Sequence, residues 1–248
     1  MGHAALVAWT MGHADSARER TNHMIVFARD SKNPFDLAYA HTFESTMYWE
    51  LREPQHAEAA AKRALALSEE HGGFPFIRGP TSVIAGWARA QLGGARESIS
   101  LIRRGLASLA EAGAAWSNNN YLAALAEAQA LDGDIDHALI TIEDAVRANP
   151  GELNSRPKVL TCRGELRLKI GQVELAEADF REAIALAQTM SAKAWELRTT
   201  ISLARLLDSQ GRREEARTML AEIYGWFTEG FDTADLKDAK DLLEELST

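Results

Sequence analysis

The chain has 248 residues, 46% of them hydrophobic and 25% charged, with a formal net charge of -9. That balance belongs to a folded protein rather than a disordered one, and the acidic excess argues against a general nucleic-acid binder, because neutralising phosphates needs a basic surface. A single cysteine, Cys162, excludes an intramolecular disulfide framework and fits a reducing compartment, and no run approaches the ~18 apolar residues that span a bilayer.

The N-terminus, "MGHAALVAWTMGH", has no basic region followed by a long apolar run, so it does not read as a signal peptide, and the expected address is the cytoplasm. From there one pattern recurs, in stronger and weaker copies: a glycine-type turn, then a small residue, then a bulky or small residue four on, then a small one three further. The first copy has Gly12, Ala17, Thr21 and Met24. The second puts Arg52 in the glycine place, followed by Ala57, Ala61 and Ala64. The third has Gly93, Ser98, Ile102 and Gly105; the fourth Gly133, Ala138, Ile142, Ala145 and a closing Pro150. The fifth has Gly171, Ala176, Phe180 and Ala183, and the sixth Gly211, Ala216, Leu220 and Ile223. The turn positions 12, 52, 93, 133, 171 and 211 are separated by 40, 41, 40, 38 and 40 residues.

Each unit reads as two antiparallel helices, with the second beginning after the turn and its small residues on one face. Small side chains there let two helix backbones approach closely. The first helix of unit four, "NYLAALAEAQAL", puts Leu122, Leu125 and Ala126 on one stripe, and that of unit five aligns Leu160, Gly164 and Arg167. Cys162 falls among apolar residues of that helix and reads as a packing residue. Such pairs bury their apolar faces only by stacking on neighbours, which predicts an all-α, right-handed superhelical solenoid. The expected units span about 1–32, 33–72, 75–112, 116–150, 156–190 and 191–224, in one domain over 1–248, with a capping helix at 233–246.

The pattern resembles the tetratricopeptide repeat (TPR), whose small, aromatic and proline positions match Gly164, Ala176, Phe180 and Ala183, and Ala126, Ala138, Ala145 and Pro150. The period is about six residues longer than the usual 34, which leaves HEAT-like pairs as an alternative. Residues 176–246 strongly, 85–175 less closely and the preceding stretch only thinly resemble the C-terminal TPR region of multidomain bacterial proteins that carry class III adenylate or guanylate cyclases, helix-turn-helix regulators or NACHT- and AAA-type ATPases. The resemblance implies a sensor or scaffold module.

No phosphate-binding loop is present, since "GGARESIS" lacks the lysine and second glycine, and no strand run exists to carry a dinucleotide fingerprint. The cyclase and ATPase activities of those proteins therefore do not carry over. Histidines 3, 13, 23, 41, 56, 71 and 137 make no metal-binding spacing; His41 and Glu44 read as a surface polar pair at i, i+3. No G-x-S-x-G elbow occurs. The expectation is a non-enzyme without metal or cofactor.

What remains is surface. In the TPR family the first helices line the concave face, and by position that face would hold Trp49, Trp87, Asn120, Glu127, Glu165, Lys169, Arg198 and Arg205. The tryptophans either anchor a ligand or pack between layers. The expected partner is a peptide or protein segment, not nucleic acid or membrane; the alternative is a small-molecule inducer switching an attached effector. "SNNNY" at 117–121 would cap its helix through an asparagine. In "YGWFTEGF", Gly225 is expected to end a helix in the left-handed region, and Asp232 or Thr233 to cap the last one. Tyr224, Trp226, Phe227 and Phe231 would plug the corner between them.

Overall fold

A computed structural model describes residues 1–113, 118–148 and 151–248. The expected repeat proline Pro150, the outer edges of unit four and the start of "SNNNY", with its cap, lie outside the described residues. Thirteen helices lie within them. They are α1 (Gly2–Thr10), α2 (Ala14–Asp30), α3 (Pro34–Glu50), α4 (Pro54–Glu70), α5 (Pro75–Gln91), α6 (Ala95–Glu111) and α7 (Asn118–Leu131). There follow α8 (Ile135–Ala148), α9 (Arg156–Lys169), α10 (Val173–Thr189), α11 (Lys193–Ser209), α12 (Arg213–Tyr224) and α13 (Ala234–Leu246). None of the described residues forms a strand, and no helix among them is long and apolar enough to cross a membrane.

The chain divides into two compact units. The first comprises Met1–Leu6 with Ala17–Pro150, and the second Val7–Ser16 with Gly151–Thr248. In the first, α3 packs on α4, α5 on α6 and α7 on α8, with α3, α5 and α7 adjacent as first helices. In the second, α9 packs on α10 and α11 on α12, and α13 lies against α11 and α12.

All six turn positions adopt the left-handed conformation: Gly12 (φ 91°), Gly93 (96°), Gly133 (87°), Gly171 (75°), Gly211 (77°), and Arg52 at 60°. The hydrogen bonds explain the demand. At each turn the following residue's N–H reaches back to the carbonyl five before it, as Asp134 N does to Gln129 O at 2.9 Å and Gln172 N to Arg167 O at 2.9 Å. That closure satisfies carbonyls orphaned at a helix end and requires positive φ at the residue before it. Arg52 carries a Cβ in this conformation, which costs roughly 1–2 kcal/mol relative to glycine.

The small residues of the first helices sit at crossings too close for a side chain. A Cβ on Gly164 would stand 2.5 Å from the Phe180 ring, and one on Gly86 2.5 Å from Ile102. Cys162 is buried, as a packing residue should be. Asp179 of α10 is only 2% exposed. It accepts hydrogen bonds from Arg163 Nη2 at 2.6 Å and Arg167 Nη1 at 2.7 Å on α9.

The C-terminal corner departs from expectation. Gly225 stays right-handed (φ -66°), and it is Gly230 that turns left-handed at 76°. Trp226 and Phe227 take a hydrogen-bonded turn from the end of α12, so the reversal falls five residues later. Thr233 occupies the cap position of α13, but its hydroxyl donates to Gly230 O at 2.7 Å rather than capping the helix. Of the four aromatics only Phe227 is buried; Trp226 and Phe231 remain substantially exposed. The helix α13 buries Leu236, Ala239, Leu242 and Leu246 against the second unit's core, while Lys240, Asp241 and Glu245 face solvent.

Candidate functional site

In the first unit, α3, α5 and α7 bring Trp49, Trp87, Tyr121 and Glu127 together. The Trp49 ring lies 6.1 Å from Trp87 and stacks on Tyr121 at 6.0 Å with 13° between planes. The Trp87 indole N–H donates to Glu127 at 2.8 Å. Trp49 and Trp87 are 2% and 4% exposed, so they pack between first helices, while Tyr121 and Glu127 are half-buried. A buried indole needs an acceptor, and Glu127 supplies it. Asn120, also half-buried, carries a side-chain oxygen that is buried and has no hydrogen-bond partner among the described residues. Donation from a bound group or a water would satisfy it.

Threonine hydroxyls join neighbouring first helices in both units. Thr42 meets Thr81 at 3.2 Å and Thr161 meets Thr199 at 2.7 Å, each pair almost fully buried. In the second unit Glu165 accepts from the Ser202 hydroxyl at 2.9 Å. One helical turn further along the same helices stand Lys169 and Arg205, both exposed and without an ion-pair partner among the described residues. Arg198 is already engaged: its Nε donates to both oxygens of Asp235 at 3.0 and 3.1 Å. Its guanidinium lies over the rings of Trp195 (4.7 Å) and Trp9 (5.4 Å). The ammonium of Lys158, itself buried, sits 5.5 Å from the Trp195 ring centre.

The expected face residues thus fall into two groups, one in each compact unit. Sequence spacing located the helices and their register but missed Tyr121, Lys158, Trp195, Trp9 and Asp235. Trp195, in the first turn of α11, was the accessible signal; Trp9 and Asp235 reach the site only through folding.

His41 and Glu44 make a different pair from the one expected. Their contact is real, at 2.7 Å, but His41 is buried and Glu44 nearly so, and Arg63 of α4 also reaches the carboxylate at 3.0 Å. Burial alone would raise the Glu44 carboxyl; the hydrogen bonds from His41 and Arg63 outweigh it and hold the group below its ordinary value of 4.5. No group of three or more metal-ligating side chains occurs among the described residues. A cavity in the second unit, lined by Trp9, Leu197, Phe227, Thr233 and Asp235 among others, has a volume of about 20 Å³. That is room for a single water, well short of an inducer.

No protein-family model matches the chain, and no curated protein sequence matches it. Solved structures do. NprR in complex with its cognate peptide NprX superposes with a TM-score of 0.69 at 14% identity, over 94% of this chain and 66% of that one. Rap protein complexed with competence and sporulation factor gives 0.68 at 11% identity, over 98% and 72%. A signal-transduction ATPase of the STAND class from Pyrococcus horikoshii, with a tetratricopeptide-repeat sensor, gives 0.59 at 11% identity, over 99% of this chain and 38% of that one. The chain has the TPR-like helical-repeat fold of these structures.

Proposed function

We propose that the chain is a non-catalytic recognition module whose first-helix face binds a peptide or protein segment, as the sensor or scaffold part of a larger cytoplasmic signalling protein. The observation that carries this reading is the pair of exposed, unpaired cations Lys169 and Arg205, on adjacent first helices beside the Glu165–Ser202 contact. Both stand on helices fixed by the Thr161–Thr199 contact and the Gly164 crossing, so a ligand meets them with little ordering cost. Two cations presented in this way suit a segment bearing carboxylates, and a charged pair at an open rim acts mainly on selectivity and association rate. One of the similar structures, NprR, is in complex with its cognate peptide NprX, and another, Rap, with competence and sporulation factor, which supports a peptide over other ligands.

The test is an array of short synthetic peptides graded in net charge, probed with the wild-type chain and with a Lys169→Glu/Arg205→Glu variant. Acidic members should bind the wild type and be lost from the variant, whose exposed substitutions leave the helical circular dichroism unchanged. Equal binding by both proteins would sink the assignment. Trp49→Ala and Trp87→Ala are poor probes, because emptying buried tryptophan sites costs about 3–5 kcal/mol of stability before any ligand is considered.

A further inference from the structure

The second compact unit contains a segment distant in sequence from the rest of it. Residues 7–16, the end of α1 and the start of α2, pack against α11 and the turn before α13. The segment's largest buried side chain is Trp9. Trp9 is 4% exposed, edge-on to Trp195 at 5.5 Å and under the guanidinium of Arg198. Its neighbours Val7 and Met11 are largely exposed.

Ala8 and Ala14 are buried beside Trp9, His13 packs its ring 5.7 Å from that of Trp226, and polar contacts join them. Glu229 accepts from the Ser16 backbone N–H at 3.1 Å, so a residue 213 positions away caps the first turn of α2. In return, Asp15 accepts from the Gly230 N–H at 3.1 Å. Gly12 is left-handed, and a Cβ there would stand 2.6 Å from the Trp226 ring, so the segment runs close against the corner. All of these polar contacts are only partly buried.

A short segment that buries one large ring and the small residues Ala8, Gly12 and Ala14, with half-exposed hydrogen bonds around them, opens at lower free energy than the longer helices beneath it. Its departure would uncover Trp195, Arg198 and Leu236, each with other contacts: Trp195 with Lys158, Arg198 with Asp235 and Leu236 with the core of α11 and α12. We propose that residues 7–16 are a releasable strap, a tethered ligand that blocks a docking site on α11 and the start of α13 for a peptide carrying a large aromatic side chain. This rests on the peptide-binding reading for what replaces the strap, but the strap itself is tested without any foreign ligand. A competitor sees only the fraction of molecules with the strap released, so its apparent affinity rises as the strap is weakened.

Amide hydrogen exchange on the full wild-type chain is the first measurement. Residues 7–16 should exchange about tenfold or more faster than α11, through local opening. Protection equal to that of α11 would mean that the strap leaves only with global unfolding and would overturn the proposal. The second uses a synthetic peptide with the sequence of residues 5–16. It should bind the full-length Trp9→Ala chain about tenfold more tightly than the wild type, and the same peptide with Trp9→Ala should not bind. A Trp9→Ala chain of wild-type helicity that gains no affinity refutes the inference. Should that variant fail to fold, Asp15→Asn/Glu229→Gln, which keeps the indole, takes its place in the same comparison with the same reading. None of these results bears on acidic peptides at Lys169 and Arg205, so the two proposals fail separately.

Discussion

At the scale of single residues, the glycines separate two kinds of constraint. Gly133 has open space where a Cβ would go and is held at φ 87° by the turn alone. Gly133→Ala should therefore cost about 1–2 kcal/mol through backbone conformation, lowering the melting temperature by roughly 2–4 °C per kcal/mol. Gly164 is an ordinary helical residue, but its Cβ would enter the Phe180 ring. Gly164→Ala should cost about 1–3 kcal/mol by overpacking, and Phe180→Leu should recover part of that loss in the double variant. Additive losses in the thermal melts would refute the crossing. Both glycines were legible in the sequence because the repeat fixes their register. Asp179 was not, since its partners Arg163 and Arg167 lie on the preceding helix and meet it only across the packed pair. Removing one partner of a buried ion cluster leaves uncompensated charge, so Asp179→Ala should destabilise by about 3–5 kcal/mol in denaturant titration.

At the scale of elements, the α3–α4 pair carries a pH signature. Glu44 is drawn below its ordinary value of 4.5 by His41 and Arg63 against the opposing effect of burial. A carboxyl depressed in the folded state contributes stability above its unfolded pKa and loses it as pH falls through the folded value. The acid limb of the stability curve, below pH about 4.5, should therefore be shallower in Glu44→Gln than in wild type, with the two curves parallel at neutral pH. Identical acid limbs would show that the pair contributes nothing. The spacing of His41 and Glu44 put them on one helix face, but the third member, Arg63, lies nineteen positions beyond Glu44 and on another helix. Element ends divide in the same way: the six turns were readable from local chemistry, whereas Gly225 and Gly230 exchanged roles because two aromatic residues extend the turn after α12.

At the scale of the whole molecule, repeat proteins leave an apolar face at the end of each stack unless something covers it. In the second unit α13 covers Leu207, Leu220 and Ile223. A chain stopped after Gly230 should melt at lower temperature and self-associate in light scattering, because that face is returned to water. A monomeric protein with an unchanged melt would contradict the capping role. The amphipathic pattern of Leu236, Ala239, Leu242 and Leu246 was enough to predict this helix.

The sequence by itself determined the all-α repeat, its period of about forty residues, the phase of its turns and the terminal cap. Each of these depends on interactions within a few residues or on a spacing that recurs, and repetition amplifies a local signal. Tertiary structure alone decided which side chains stand together: Trp49 and Trp87 closed between helices, Arg198 spent on Asp235, Lys158 drawn over Trp195, and Trp9 seated on a helix almost two hundred residues away. A charge or an indole follows no helical period when its partner lies on another element, so its address is fixed only once the helices have packed.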